Sequence, residues 1–236
     1  NANIPGFSAF SGITLNQWVG GFNPEAVAAA LQLGASFVWM PTMHADYHMG
    51  VFGGRGTYGI KSMTVEGNSV GAGMVVWDES KRLKPELVAI MEHVRKAGAI
   101  LATSHISPEE ILVITQHARE IGAKVLINHP FFFPRKVSID YFKQLVDLGA
   151  TLELCAVATY PMALHQGCEL TLQLSKELID AVGPEHCILA TDAGQPFNPW
   201  PHEALRMYAQ LLYEVGVPEA SLRKMMVENP AVLLGL

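Results

Sequence analysis

One phrase repeats along this 236-residue sequence and limits the folds open to it. It consists of a short apolar run, a polar or proline-containing corner, and a longer amphipathic segment that ends near glycine. The short runs suit β-strands and the longer segments suit α-helices. Apolar strands that alternate with helices predict a parallel sheet covered on its faces, either an eight-fold barrel or an open doubly wound sheet. Periodicity alone does not choose between these two.

Six such strand and helix units are visible. The predicted strands cover residues 10–15, 37–40, 100–104, 124–128, 151–157 and 187–191. Helices are expected from Asn23, Pro85, Pro108, Ser138, Glu169 and His202. Proline and acidic residues near their starts and glycine beyond their ends fit the preferences of helix termini.

The composition favours some classes of protein and argues against others. Half of the residues are apolar and 16% are charged, which predicts one globular domain over residues 1–236. A net charge of -6 with scattered basic residues argues against a nucleic-acid partner. No apolar run is long enough for a membrane span, and no signal peptide is visible. Three cysteines without a CxxC pair favour the reducing cytoplasm.

One segment does not follow the repeated pattern of strand and helix. Residues 42–84 separate a strand from its helix, and connections of this length usually have a function. The segment is rich in glycine, but it lacks the GxGxxG and GK[ST] patterns of phosphate-binding loops. We expect it to form a lid over the site or a contact in a homo-oligomer. Within it, VGAGMVVWDES is a candidate short hairpin.

Polar residues interrupt the ends of three strands. ILATSH ends in His105, KVLINH ends in His129, and ILATD ends in Asp192. Parallel α/β folds gather the carboxyl ends of their strands at one edge, where active sites lie. Two imidazoles and a carboxylate suit a divalent metal, zinc first and manganese or iron next. The three residues are therefore predicted metal ligands, with Asp192 also catalytic.

These motifs carry a family resemblance. TSH, INHP and ATDAG on successive strands, followed by ENPAVLLGL, resemble the amidohydrolase superfamily of metal-dependent (β/α)8 TIM-barrel hydrolases. The resemblance implies that His105 and His129 bind metal at the fifth and sixth strands and that Asp192 ends the eighth. The C-terminal ENPAVLLGL resembles a packing signature. VGGFNPEAV and VWMPT resemble an uncharacterised amidohydrolase-like branch of the superfamily.

The resemblance also sets a strand count. If Asp192 ends strand eight, the strand at residues 10–15 is the third, and we expect the first two βα units to lie upstream of this chain. The HxH pair that the family carries on its first strand is absent from this sequence. The fourth strand lacks the Lys or Glu that bridges two metals in many members, so the resemblance does not imply a second metal.

Two histidines after the strand at residues 37–40 are weaker candidates. His44 and His48 share the HADYH segment and could reach the site from above as metal or substrate contacts. Alternate residues of an extended segment share a face, which would let both point the same way. The alternative is a solvated loop.

Other polar residues are candidates for binding the substrate. Arg55 and Arg135 could clamp a carboxylate by charge-assisted hydrogen bonds, although loop cations are most often solvated. Gln195 follows Asp192 closely enough to contact a substrate. Glu153 interrupts an apolar strand, either as a partner that orients a ligand or as part of a polar layer.

The resulting hypothesis is hydrolysis of a C–N or C–O bond in a small molecule such as an amide, lactam or lactone. A metal at His105 and His129 would activate water, and Asp192 would move the proton to the leaving group. A metal-dependent decarboxylase is a close variant. The alternative from another class is a degenerate barrel that keeps the fold and binds a small acidic ligand.

Overall fold

The structure is a computed structural model that describes residues 5–52, 72–132, 137–159, 171–195 and 198–236. Six strands form one sheet: Gly12–Thr14 (β1), Phe37–Trp39 (β2), Ile100–Ala102 (β3), Lys124–Asn128 (β4), Thr151–Cys155 (β5) and Cys187–Ala190 (β6). Each lies inside a predicted strand. None of the helices in these ranges combines the length and hydropathy needed to cross a bilayer.

The strands are parallel and follow one another across the sheet in chain order, from β1 to β6. A doubly wound sheet reverses its strand order at a switch point, and this order has no reversal. Consecutive order with helical crossovers is the arrangement of (β/α) barrels. Among the described residues, β1 pairs only with β2 and β6 only with β5. That further βα units precede β1 stays a prediction.

Two strands end two residues earlier than predicted. β3 stops at Ala102 because Ser104 adopts a positive φ of 50°, which a pleated strand does not accommodate. β5 stops at Cys155, and a single 3₁₀ turn, Ala156–Thr159, replaces its expected end. The apolar pattern identified the strands, but it did not contain the backbone turns that end them.

Nine helices are found among the described residues, and most of them follow a strand of the sheet. Their bounds are Pro24–Gln32 (α1), Asp46–Phe52 (α2), Pro85–Ala97 (α3), Pro108–Ile121 (α4), Ile139–Asp147 (α5), Leu172–Val182 (α6), Pro201–Glu214 (α7), Glu219–Arg223 (α8) and Asn229–Leu234 (α9). Side chains of Asn23, Ser107, Ser138 and Thr171 accept hydrogen bonds from free N–H groups in the first turns of α1, α4, α5 and α6.

The two faces of the sheet belong to different cores. Leu101, Val125 and Leu152 point toward the helices and join the larger hydrophobic cluster. Neighbouring side chains point the other way, because the side-chain period of a strand is two. They form a second, smaller cluster on the inner face of the sheet. It contains Ile100, Ala102, Leu126 and Ile188, and Leu233 and Leu234 of α9 pack against it. The C-terminal helix therefore lies against the inner face of the sheet.

The described parts of the long connection are held against the body of the protein. Trp77 and Leu83 form an isolated antiparallel bridge. Trp77 belongs to the predicted hairpin segment, but its partner Leu83 lies beyond the end of that segment. The buried Glu110 completes the capping box of α4 and also accepts a hydrogen bond from the Val76 N–H at 2.9 Å. One carboxylate thus fixes both a helix start and the returning end of the connection. Residues 53–71 lie outside the described residues.

The predicted packing role of the C-terminal motif has a specific contact behind it. The Asn229 side-chain amide donates to the carbonyl oxygens of Pro184 and Cys187 at 2.7 and 2.6 Å. Cys187 is the first residue of β6, so Asn229 ties the last helix to the start of the strand that leads to Asp192. Five π-helical residues, Lys224–Glu228, join α8 to α9 just before this contact.

Replacing this amide should destabilise the fold. We expect Asn229→Ala to lower the free energy of unfolding by about 1–3 kcal/mol, because two partly buried carbonyl oxygens lose their donor. Asn229→Asp should cost at least as much, since it keeps the size and loses both donors. Gln210→Ala on the exposed face of α7 is the control and should cost under about 0.5 kcal/mol. Urea denaturation measures all three, and equal effects for Asn229→Ala and the control would contradict the clamp.

Candidate active site

The carboxyl ends of the strands open onto one cavity of about 350 Å3. His105 follows β3, His129 follows β4 and Asp192 follows β6, and all three line this cavity. The other lining residues are Thr14, Trp39, Thr42, Ser104, Asn128, Glu153 and Gln195. The structure thus brings the three strand-end residues of the sequence hypothesis to a common pocket, because parallel strands end at the same edge.

Three histidines form a buried cluster at one side of the cavity. The rings of His105 and His129 have centroids 5.0 Å apart. The ring of His48, from α2, lies nearly parallel to that of His105, and the two Nδ1 atoms are 2.8 Å apart. One of these nitrogens must donate and the other accept, so the two rings cannot both carry a proton at Nδ1.

This environment holds His105 in its neutral form. Burial lowers the pKa of His105 well below 6.5, and the proximity of His129 and His48 lowers it further. A neutral imidazole keeps a lone pair that can accept a hydrogen bond or bind a cation. His105 is therefore in the protonation state that its predicted role requires.

An amide joins three strand ends beside these histidines. The Asn128 side chain accepts from the Ser104 N–H at 2.7 Å and donates to Glu153 Oε2 at 2.5 Å. The backbone N–H of Asn128 donates to the Thr103 hydroxyl at 3.3 Å. Asn128 thus links the ends of β3, β4 and β5, and it directs Glu153 toward the cavity.

The two carboxyl groups of the cavity both hold protons unusually well. Burial raises the pKa of Glu153 to about 7, with the Asn128 hydrogen bond opposing this shift and the charge of Asp192 adding to it. The Asp192 side chain is exposed at the cavity mouth, yet the surrounding protein desolvates it and raises its pKa to about 6. Both groups can therefore exchange protons near neutral pH.

The backbone takes an uncommon conformation at the same positions. Ser104, His129 and Asp192 have positive φ angles of 50°, 35° and 50°. Residues with a Cβ rarely adopt this left-handed region, and it is concentrated at functional sites. At three of the strand ends, the turn that starts the loop also presents the side chain to the cavity.

The remaining predicted site residues have different positions. Gln195 lines the cavity, and its side chain accepts hydrogen bonds from the Gly194 N–H and from Asn198. His44 is buried with its ring edge-on to Trp18 and is not among the cavity-lining residues, so the alternative of a solvated loop is wrong for it. His48 is also buried and meets the site through His105. Arg55 and Arg135 lie outside the described residues.

Two asparagines were not singled out from the sequence as site residues. Asn128 ends an otherwise apolar strand directly before His129, and this interruption was the available signal. Asn16 follows β1, donates to the Thr42 hydroxyl at 2.8 Å and accepts from the Thr42 N–H at 3.1 Å. No sequence signal connected Asn16 with Thr42, since their contact spans 26 residues.

The predicted metal site is not formed by the described side chains as they stand. Within the part of the chain that the structure describes, no three His, Cys, Asp or Glu side chains are arranged to hold a metal ion. The close convergence expected of His105, His129 and Asp192 is therefore absent there. Instead, Nδ1 of His105 faces His48.

Comparison with known proteins places the chain in a family. Residues 1–153 match the Family of unknown function (DUF6282), a region that runs from before β1 into β5. The chain belongs to the DUF6282 family. The match includes His105, His129 and Glu153 and stops before Asp192. A search of curated proteins found no match to this DUF6282 chain.

Solved structures relate the fold of this DUF6282 chain to two hydrolases. An amidohydrolase from Pseudomonas aeruginosa is similar with a TM-score of 0.57 and 19% identity, over 94% of this chain and 70% of that one. A double mutant of an organophosphorus hydrolase from Deinococcus radiodurans gives a TM-score of 0.54 and 13% identity, over 90% and 61%. At these identities the similarity shows the fold, and it agrees with the resemblance seen in the motifs.

The raised pKa of Glu153 predicts a pH-dependent stability. The folded chain binds this proton more tightly than the unfolded chain, so the contribution is full below pH about 4.5 and is lost as the pH rises through about 7. Glu153→Gln removes the titration and keeps an acceptor for Asn128. In chelator-treated protein, we expect it to raise the free energy of unfolding by about 3 kcal/mol at pH 8 and to change it little at pH 4.5.

Urea denaturation across this pH range measures the effect. Glu177→Gln, on the exposed side of α6, changes the net charge equally and serves as the control. A difference between Glu153→Gln and wild type that does not vary with pH would show that Glu153 does not titrate in this range.

Proposed function

We propose that this chain is a metal-dependent hydrolase that cleaves a C–N or C–O bond of a small molecule such as an amide, lactam or lactone. The observation that carries the proposal is the cavity onto which His105, His129 and Asp192 open from the ends of β3, β4 and β6. Histidine and carboxylate groups around one pocket, with shifted pKa values, are typical of sites that activate water.

The fold supports the reaction class. Both solved structures described above are hydrolases by name, and the chain spans 70% and 61% of their lengths. Fold similarity by itself does not transfer an activity, so the argument rests on the site. The site has the groups that hydrolysis needs: neutral imidazole and two carboxyl groups that exchange protons near neutral pH.

The donor types around the cavity fit a divalent cation, for which zinc is our first expectation. His105 is neutral, as a ligand must be, and His129 and Asp192 line the same cavity. His105 and His129 would hold the ion, and the Asp192 carboxylate would face it. When bound, such an ion supplies Lewis acidity toward water and toward the carbonyl group of the substrate.

The chain's own residues supply the proton transfers. Asp192 accepts a proton from the attacking water and returns it to the leaving nitrogen or oxygen, a role suited to a carboxyl with a pKa of about 6. Asn128 keeps Glu153 in place beside it through their hydrogen bond. Trp39 and the buried histidines restrict the access of bulk water on their sides of the cavity.

A binding protein without catalysis is the second candidate. The close contact between His48 and His105 favours it, because it engages one nitrogen of a predicted ligand. The described lining includes the carboxyl groups of Glu153 and Asp192 and no Lys or Arg. This charge disfavours both an acidic ligand and the decarboxylase variant, whose substrate carries a carboxylate.

Substitutions should separate metal binding from proton transfer. We expect His105→Ala and His129→Ala each to lower the zinc content of the protein by at least about tenfold when zinc is added at a limiting concentration. Asp192→Asn should keep most of the zinc and lower turnover by about 10²–10⁴, because it removes the base and retains an oxygen ligand. Elemental analysis and hydrolysis of a panel of amides, lactams and lactones measure the two properties.

His202→Ala, on the exposed start of α7, is the control and should change neither property. Equal zinc loss in all three site variants would refute this division of roles. If wild type takes up no stoichiometric metal and hydrolyses no member of the panel, the proposal fails and the binding protein is favoured.

A further inference from the structure

Ser104 has a buried hydroxyl group that the fold leaves unused. Its side chain is 4% exposed, and its Oγ has no hydrogen-bond partner among the described residues. Leaving a hydroxyl unpaired in the interior destabilises the folded chain. The Ser104 backbone also holds the unfavourable φ of 50°. Neither cost is explained by the stability of the fold.

The position of Ser104 indicates where its missing partner lies. Ser104 lines the cavity of His105, Glu153 and Asp192, and it also lines a small neighbouring recess of about 40 Å3. The recess is largely apolar, with aromatic and aliphatic side chains from β4, α4 and α5. One of its polar groups, the Tyr141 hydroxyl, already donates to the Pro108 carbonyl at 2.7 Å. The larger cavity is thus the more polar of the two surroundings.

One neighbouring polar group, the Asn128 side chain, is already committed to other partners. The side-chain oxygen of Asn128 accepts from the Ser104 N–H, and its nitrogen donates to Glu153. A rotation of the Ser104 side chain about its Cα–Cβ bond would offer the hydroxyl, which is now closed off from solvent, as a donor for a molecule in the cavity. Because the lining presents the carboxyl groups of Glu153 and Asp192, a neutral acceptor suits this donor better than an anion.

We propose that Ser104 is a substrate-binding residue whose hydroxyl donates a hydrogen bond to the carbonyl oxygen of a neutral amide, lactam or lactone. The inference rests on the proposed function, and it narrows the substrate to an uncharged acyl group. It also gives a reason for the left-handed backbone at Ser104, since that turn places the residue at the edge of the cavity. The competing explanation is a buried water in the recess that satisfies the hydroxyl.

Binding of two matched probes tests the proposal. 2-Pyrrolidinone is a neutral lactam, and pyroglutamate is the same ring with a carboxylate. NMR titration of the purified protein gives the Kd of each for wild type, Ser104→Ala and Ser104→Gly. Both substitutions remove the hydroxyl, but only glycine relieves the positive φ. Ser175→Ala removes another buried hydroxyl, on α6 and outside the cavity lining, and is the control.

We expect wild type to bind 2-pyrrolidinone more tightly than pyroglutamate. Both Ser104 variants should raise the Kd for 2-pyrrolidinone by about fivefold to tenfold, and Ser175→Ala should change it by less than about twofold. Unchanged binding in both Ser104 variants would overturn the proposal in favour of the buried water. A loss in only one of them would assign the effect to the backbone and overturn it as well.

Two further results bear on the proposal. Absence of any lactam binding by wild type, or tighter binding of pyroglutamate, would overturn the neutral-carbonyl assignment. Hydrolysis of the lactams and lactones is followed separately on the same samples. Serine-dependent binding without turnover would count against the hydrolase and leave the role of Ser104 supported, so the failures of the two proposals are distinguishable.

Discussion

The structure depends on how a parallel strand ends. Backbone groups beyond the last rung of the ladder lose their partners just where the chain must turn toward a helix. Side-chain amides meet this need at two places. Asn16 joins the loops after β1 and β2 through Thr42, and Asn128 joins the ends of β3, β4 and β5. The edge that the amides brace is the edge that carries the cavity, so the groups that stabilise the fold also fix the walls of the site.

The same edge concentrates the unfavourable features of the molecule. Ser104, His129 and Asp192 share a left-handed backbone, and Glu153 is a carboxyl group whose charged form burial disfavours. Features of this kind cost of order 1–3 kcal/mol each and persist only where the surroundings hold them in place. Two packed cores, one on each face of the sheet, provide that support. Stability is thus gained in the body of the protein and given up at one edge.

Much of the fold was predictable because it depends on local patterns. The period of apolar residues located all six strands, and the rule that parallel strands end at one edge put His105, His129 and Asp192 at a common cavity. The remaining contacts depend on residues far apart in sequence. Nothing local indicated that His48 would meet His105, or that serine would adopt the positive φ more usual for glycine and asparagine. Strand ends and the neighbours of site residues were therefore the least predictable parts.

The pairing of His48 with His105 makes the long connection a participant in the chemistry of the site. A ligand that uses Nδ1 of His105 must displace His48. A change that stabilises the contact of His48 with His105 by a given factor therefore lowers the affinity of that ligand by up to the same factor. The coupling is reciprocal and needs no large movement. Through His48, which is not among the cavity-lining residues, the connecting segment can in this way set the affinity of a strand-end histidine.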